Sequence, residues 1–375
     1  MGYIHVIRTL LLILALSLAL TGCAAPFGWG AAPAPTTSPT MSGTAQSRAT
    51  TTLVPSPTLP AVDPATPLPT PFPVTTAVPG TSQRFAITQS PGDQTDIYLV
   101  HIDSADVINL TNNSVSDFGI SWSPDGTRIA FASTRDDNAD IYVMQADGTR
   151  RQRLTHRPES DFAPVWSPDG KRIAFHQRLS RAVRTIYVMM ADGSNLTRLA
   201  DGIRPAWSPD GTHLIFSDSI QSDAEIHLIN ADGSDERYLV NGNRPSWSPD
   251  GTRILFDYNA QVYTININGT DLTALADGIE PIWSPDGTQI ALVSSTHTSR
   301  ALAIMDADGT NLRDLAAGEA SAPQWSPDGR MIAFRRNAGI GIGGGGIMIV
   351  RVDDGTEHSL GRYGLGRIFA FAWEP

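Results

Sequence analysis

The chain has 375 residues, with 27 basic and 38 acidic side chains, a formal charge of −11 and one cysteine. An acidic chain without a basic patch is a poor partner for nucleic acid or anionic lipid headgroups, both of which are bound through clustered Lys and Arg. A lone cysteine excludes an intrachain disulfide framework.

Residues 1–22 are predicted to be a lipoprotein signal peptide. The weakly basic segment Met1 to Arg8 precedes an apolar run from Thr9 to Leu20. About twelve apolar residues are too few to span a bilayer and suit the core of an export signal. Leu20-Thr-Gly-Cys23 follows directly and resembles the bacterial lipobox. That resemblance implies that Cys23 is lipidated, becomes the mature N-terminus, and fixes the protein to the extracytoplasmic side of a membrane in a bacterial envelope.

Residues 23–83 are rich in Pro, Thr, Ala and Ser, with Arg48 and Asp63 the only charges. Such a segment buries too little apolar surface to offset its ordering entropy, and is expected to be a disordered tether. In polyproline geometry it reaches at most ~190 Å.

From residue 84 to 375 the chain is periodic. Trp-Ser-Pro-Asp-Gly recurs at Trp122, Trp166, Trp207, Trp247, Trp283 and Trp325, 36 to 44 residues apart. A fixed period of this size marks a repeat architecture. Each phrase precedes a short apolar strand such as Arg128-Ile-Ala-Phe131 or Arg172-Ile-Ala-Phe175, then a second such as Ile141-Tyr-Val-Met144, then an Asp-Gly or Asn-Gly turn and a last short strand. Proline presets the second turn position, aspartate bonds neighbouring amides, and glycine takes the positive φ that reverses the chain. Four strands per period describe a propeller blade. The tryptophans end the inner strands, and each can bury about 150–250 Å² between blades.

These phrases resemble the TolB-type β-propeller repeat, a relative of the WD-repeat. The resemblance covers about 84–375 and implies an all-β propeller of four-stranded antiparallel blades. TolB itself is six-bladed. Here, Arg84-Phe-Ala-Ile-Thr88 starts a blade that lacks its first strand, and Phe369-Ala-Phe-Ala-Trp373 is a first strand with nothing after it. Joining the two halves predicts a seven-bladed ring, with six blades as the alternative; the seventh inner tryptophan is Trp373.

Enzymatic signals are weak. There is no Gly-x-Ser-x-Gly elbow and no His-Glu-x-x-His. His101, His156, His176, His213, His227, His297 and His358 are scattered through the repeat. Some propellers of the superfamily are lyases with a histidine-bound metal at the mouth, and His176 and His297 are the loop histidines nearest that description. Gly341 to Gly346 matches a dinucleotide fingerprint by letter, but sits between two strands with no helix to face a phosphate. Asp306-Ala-Asp308-Gly309 lacks the further ligands of a calcium loop. No catalytic residue, cofactor or metal site is predicted.

The expected function is that of an exported, membrane-anchored monomer whose propeller binds a protein or an envelope polymer. The alternatives are a carbohydrate- or peptide-active enzyme with a site at the propeller mouth, or an extracytoplasmic solute or signal sensor. Specificity should reside opposite the near-identical Ser-Pro-Asp-Gly turns, in loops that differ between blades: 133–140, 176–185, 217–224, 294–300 and 335–346. Three residues before each tryptophan, the mouth reads Gly119, Ala163, Arg204, Arg244, Glu280, Ala322 and Ala370. Arg204 and Arg244 are candidate anchors for an acidic group, with a structural Arg244–Glu280 ion pair as the competing reading.

Overall fold

The computed structural model describes residues 83–375 except 91–93, 105, 137, 181–182, 220, 222, 295–299, 337–345 and 363–366. Cys23, the signal segment and the tether up to residue 82 lie outside the described residues, as do His297 and most of the glycine run.

Every Trp-Ser-Pro-Asp-Gly phrase forms the same hairpin. At the first, the Ser123 hydroxyl donates to Asp125 at 2.6 Å, and the same carboxylate oxygen accepts the Thr127 amide at 3.1 Å. Gly126 takes φ +66° and donates its amide to the Ser123 carbonyl at 2.9 Å. The turn joins two antiparallel strands, and further short turns add two more. Four-stranded sheets of this kind are Asp117–Trp122, Arg128–Asp136, Asn138–Gln145 and Gln152–Arg153; Ser160–Trp166, Arg172–Arg178, Arg184–Met190 and Thr197–Asp201; and Ile203–Trp207, His213–Ser217, Glu225–Asn230 and Arg237–Asn241. Ala320–Trp325, Met331–Arg336, Gly346–Arg351 and Glu357–Arg362 make another.

Between residues 243 and 316 the pairing runs through seven strands, because Thr273–Trp283 serves twice. Its residues 273–277 pair with Gln261–Thr264, and its residues 278–283 pair with 290–294. The remaining four-stranded sheet joins the two ends of the described chain: Arg367–Trp373, Arg84–Ser90, Asp96–His101 and Val107–Asn109, in that spatial order. These antiparallel sheets are the blades of a β-propeller.

The Ile-Ala-Phe strand explains how blades stack. Alternate residues face opposite sides of a strand, so Ile129 and Phe131 share one core cluster with Ala86, Ile97 and Leu99 of the preceding sheet, whereas Ala130 packs with Trp166, Ile173 and Phe175 of the next. Large side chains on one face meet small ones on the other. Phe131, Phe175, Phe216, Phe256 and Phe334 are at most 1% exposed.

The tryptophans do more than fill space. An inner strand has a free edge toward the axis, and its carbonyls lack sheet partners. The Trp207 indole Nε1 donates to the Val165 carbonyl of the preceding blade at 3.1 Å, Trp247 to Ala206 at 3.1 Å, and Trp373 to Gln324 at 3.1 Å. Trp122 and Trp325 make the same bond at 3.3 Å, to Ala372 and Ile282. The indole nitrogens of Trp166 and Trp283 are buried and unbonded. Stability measured by chemical denaturation should reflect this. Trp207→Phe is expected to cost about 1 kcal/mol more than Trp166→Phe, the worth of one hydrogen bond; equal losses would show that the indoles act by bulk alone.

Two expected features differ. Residues 133–140 are almost entirely strand, extending one hairpin, and 176–178 and 184–185 likewise belong to strands. Hydrogen-bonded pairing continues past the apolar residues as long as partners face each other, which an apolar pattern does not report.

Candidate functional site

In Ala163-Pro164, Arg204-Pro205, Arg244-Pro245, Glu280-Pro281 and Ala322-Pro323, a proline lies inside an inner strand. Proline cannot donate to a ladder and is tolerated in strands at edges and bulges. Both conditions hold here. Ile203 pairs with Ser217 and Ala206 with Ile215, so Arg204 and Pro205 together oppose the single residue Phe216. The same shift occurs in the strands that carry Gly119, Ala163, Arg244, Glu280 and Ala322.

The first bulge residue is left-handed in each: φ is +65° at Gly119, +49° at Ala163, +52° at Arg204 and Arg244, +55° at Glu280 and +52° at Ala322. For a residue with a Cβ this conformation costs about 1–2 kcal/mol. Its recurrence from blade to blade makes it a property of the repeat. A bulge re-aims its side chain, and these bulges sit where each strand enters the propeller, on the end opposite the Ser-Pro-Asp-Gly turns. Gly119 and Ala163 are neighbours in this ring: a Cβ on Gly119 would lie in ordinary van der Waals contact with the Ala163 nitrogen, at 3.5 Å.

The charged members of this ring are not equivalent. Arg244 is held by Asp257, with its Nη1 3.1 Å and 3.3 Å from the two carboxylate oxygens, and by Glu280 at 3.6 Å. Glu280 is fixed in turn: its amide donates to Asp257 at 3.3 Å, and its carboxylate accepts the Ala322 amide of the next blade at 2.5 Å. Burial pushes the Asp257 carboxyl up, and the Arg244 charge opposes that. Arg244 and Glu280 thus form a clasp spanning three blades, with Asp257 the partner that sequence spacing did not reveal. Arg204 is exposed and carries no hydrogen bond or ion pair among the described residues. Its guanidinium pKa is lowered by partial desolvation and by the neighbouring charge of Arg244.

Trp247, Trp283, Trp325 and Trp373 line a cavity of about 420 Å³ at the other end, together with Ser246, Ile282, Gln324 and Ala372. Its lining holds no charged group, so it has little with which to orient a ligand. Among the described residues no cluster of His, Cys, Asp and Glu has the makings of a metal centre.

A family model described as the TolB beta propeller domain matches residues 76–243 and 202–375. No curated protein matches. Among solved structures, TolB from Acinetobacter baumannii is similar at 18% identity and TM-score 0.50, over 77% of this chain and 82% of that one. An oligogalacturonate lyase from Vibrio parahaemolyticus is similar at 12% identity and TM-score 0.57, over 75% and 85%. A puromycin-hydrolyzing peptidase of Mycobacterium tuberculosis is similar at 16% identity and TM-score 0.56, over 78% of this chain but 56% of the peptidase. Identities this low establish a shared fold and nothing further.

Proposed function

This chain belongs to the TolB β-propeller family, and from that premise we propose that it is an exported lipoprotein whose propeller docks a protein or an envelope polymer on the arginine-bearing mouth. We read Thr273–Trp283 as the fourth strand of one blade and the first of the next, and this double pairing supports a seven-bladed ring. The observation that carries the docking reading is Arg204, an exposed guanidinium with no partner among the described residues, aimed by a bulge at the mouth. A guanidinium fork suits the carboxylates of a partner in a partly desolvated cleft. Arg244 contributes through its clasp, which sets one wall of the mouth.

Two experiments test the proposal. Replacing Arg204 and Arg244 by alanine is expected to weaken capture of the partner from solubilised native membranes by about 2 kcal/mol or more, with the fold intact by circular dichroism. Undiminished capture would move the docking site elsewhere. Cys23→Ser is expected to release the protein from the membrane fraction or to leave an unprocessed precursor. Normal processing with membrane retention would remove the lipid anchor from the proposal.

A further inference from the structure

We infer that the mouth-side seam between the sheets of Ser160–Asp201 and Ile203–Asn241 is a binding site for a multivalent oxyanion, built by Arg178, Arg184 and Arg204 around His176. The inference deepens the docking proposal by naming the ligand chemistry, and rests on it only for the choice of face.

The backbone register brings these residues together. Arg184 lies directly opposite Arg178, and His176 lies opposite both Ile186 and Phe162 on its two neighbouring strands. Residues opposite each other, and those two apart on one strand, share a face. His176, Arg178, Arg184, Ile186 and Phe162 therefore look the same way. Ile186 packs with Trp207 and Phe216 of the following blade, so that face looks toward the blade whose inner strand carries Arg204. Aromatic contacts lie on that face: the His176 ring stacks on Phe162 at 5.8 Å, and Arg178 lies over Phe162 at 4.9 Å.

The charges there are not neutralised. Neither Arg184 nor Arg204 has an ion pair or side-chain hydrogen bond among the described residues, and Arg178 has only its contact with the Phe162 ring. Like charges directly across a strand pair are destabilising, and this pair persists in a chain of net charge −11. The nearby acids are engaged elsewhere. Asp201 accepts from Thr185 at 3.0 Å and from Arg198 at 2.7 Å, Asp161 accepts from Gln177 at 2.9 Å, and Asp257 and Glu280 hold Arg244. His176 registers the excess: its Nδ1 is buried without a partner, and burial together with the charges of Arg184, Arg204 and Arg178 lowers its pKa to about 4. Three guanidiniums around a neutral imidazole repel a metal cation, although the imidazole alone could ligate one, and they suit an anion. A single carboxylate would leave two positive charges unbalanced, whereas a group with two or three negative charges would not.

The test uses the full-length protein with free pyrophosphate and free citrate as probes in chloride buffer, so no macromolecular partner is needed. Both are expected to bind, and their relative affinity distinguishes a phosphate source from a carboxylate source. Arg178→Gln with Arg184→Gln should weaken the tighter probe at least tenfold, and Arg204→Gln likewise, with Lys171→Gln on the opposite face as the neutral control. The His176 imidazole resonance provides a readout in the unmodified protein: its titration midpoint should move up from about 4 toward 6.5 when the site is filled. Failure of both probes to bind, equal weakening by Lys171→Gln, or an unresponsive His176 midpoint would each overturn the site. Any of these alongside loss of partner capture in the Arg204/Arg244 variant would leave the docking proposal standing without it.

Discussion

Deleting residues 369–375 is expected to cost the protein most of its folding stability. The deletion removes Phe371 and Trp373, which are 3% and 7% exposed and lie 5.4 Å and 5.1 Å from the ring of Phe85. Loss of one buried aromatic typically costs about 3–5 kcal/mol. It also strips the inner neighbour from Arg84–Ser90, which pairs with residues 367–373 along its length, and so exposes a sheet edge at the centre of the ring. Against a typical domain stability of ~5–15 kcal/mol, the truncated chain should melt far below the full one or fail to fold. Glu374→Gln separates closure from charge. The Arg84–Glu374 ion pair is partly solvent-exposed, so its loss should cost about 1 kcal/mol or less. A truncated protein with the full-length melting temperature would show that the terminal strand does not hold the ring.

Much of this architecture is legible in the sequence because the repeat states it many times. Ser-Pro-Asp-Gly carries its own turn chemistry, and the half-repeats at residues 84 and 373 announce their pairing because neither is complete alone. The bulge at the mouth was hidden for a different reason. An X-Pro pair before each tryptophan is a signal for an interrupted ladder, since proline has no amide to donate, yet only the register shows that X is left-handed. Side-chain partners were hidden too: Asp257 lies 13 residues from Arg244, and cross-strand geometry alone brings them together. The Arg178–Arg184 pair is likewise a consequence of hairpin register. Its length depends on residues 179–183, where no apolar pattern marks the end of the strands.

The buried carboxylate beneath the mouth gives the sharpest pH dependence. Asp161 is 0% exposed, and burial pushes its pKa up to about 6. Hydrogen bonds from Thr155 and Gln177 and the charge of Arg157 partly offset the burial, and the charge of Asp140 adds to it. Because the folded state favours the protonated acid, the unfolded chain binds fewer protons between about pH 4 and 6, and stability contributed by this group falls as pH rises through that window. At neutral pH, keeping the carboxylate ionised costs roughly 3 kcal/mol. Asp161→Asn removes the charge at nearly constant shape. The variant is therefore expected to be more stable than the parent above pH 7, by roughly 2–3 kcal/mol, and to match it near pH 4. The turn aspartates act in the opposite sense. Asp125 and Asp210 are held down to about 2, first by the hydroxyls of Ser123 and Ser208, so their contribution is complete above the unfolded value near 4 and disappears as pH falls through about 2. Both proteins carry those turns, and their effect cancels in the difference between denaturation midpoints measured from pH 4 to pH 8. A difference that does not grow with pH would mean that Asp161 is ionised in the fold without penalty, with Arg157 balancing its charge.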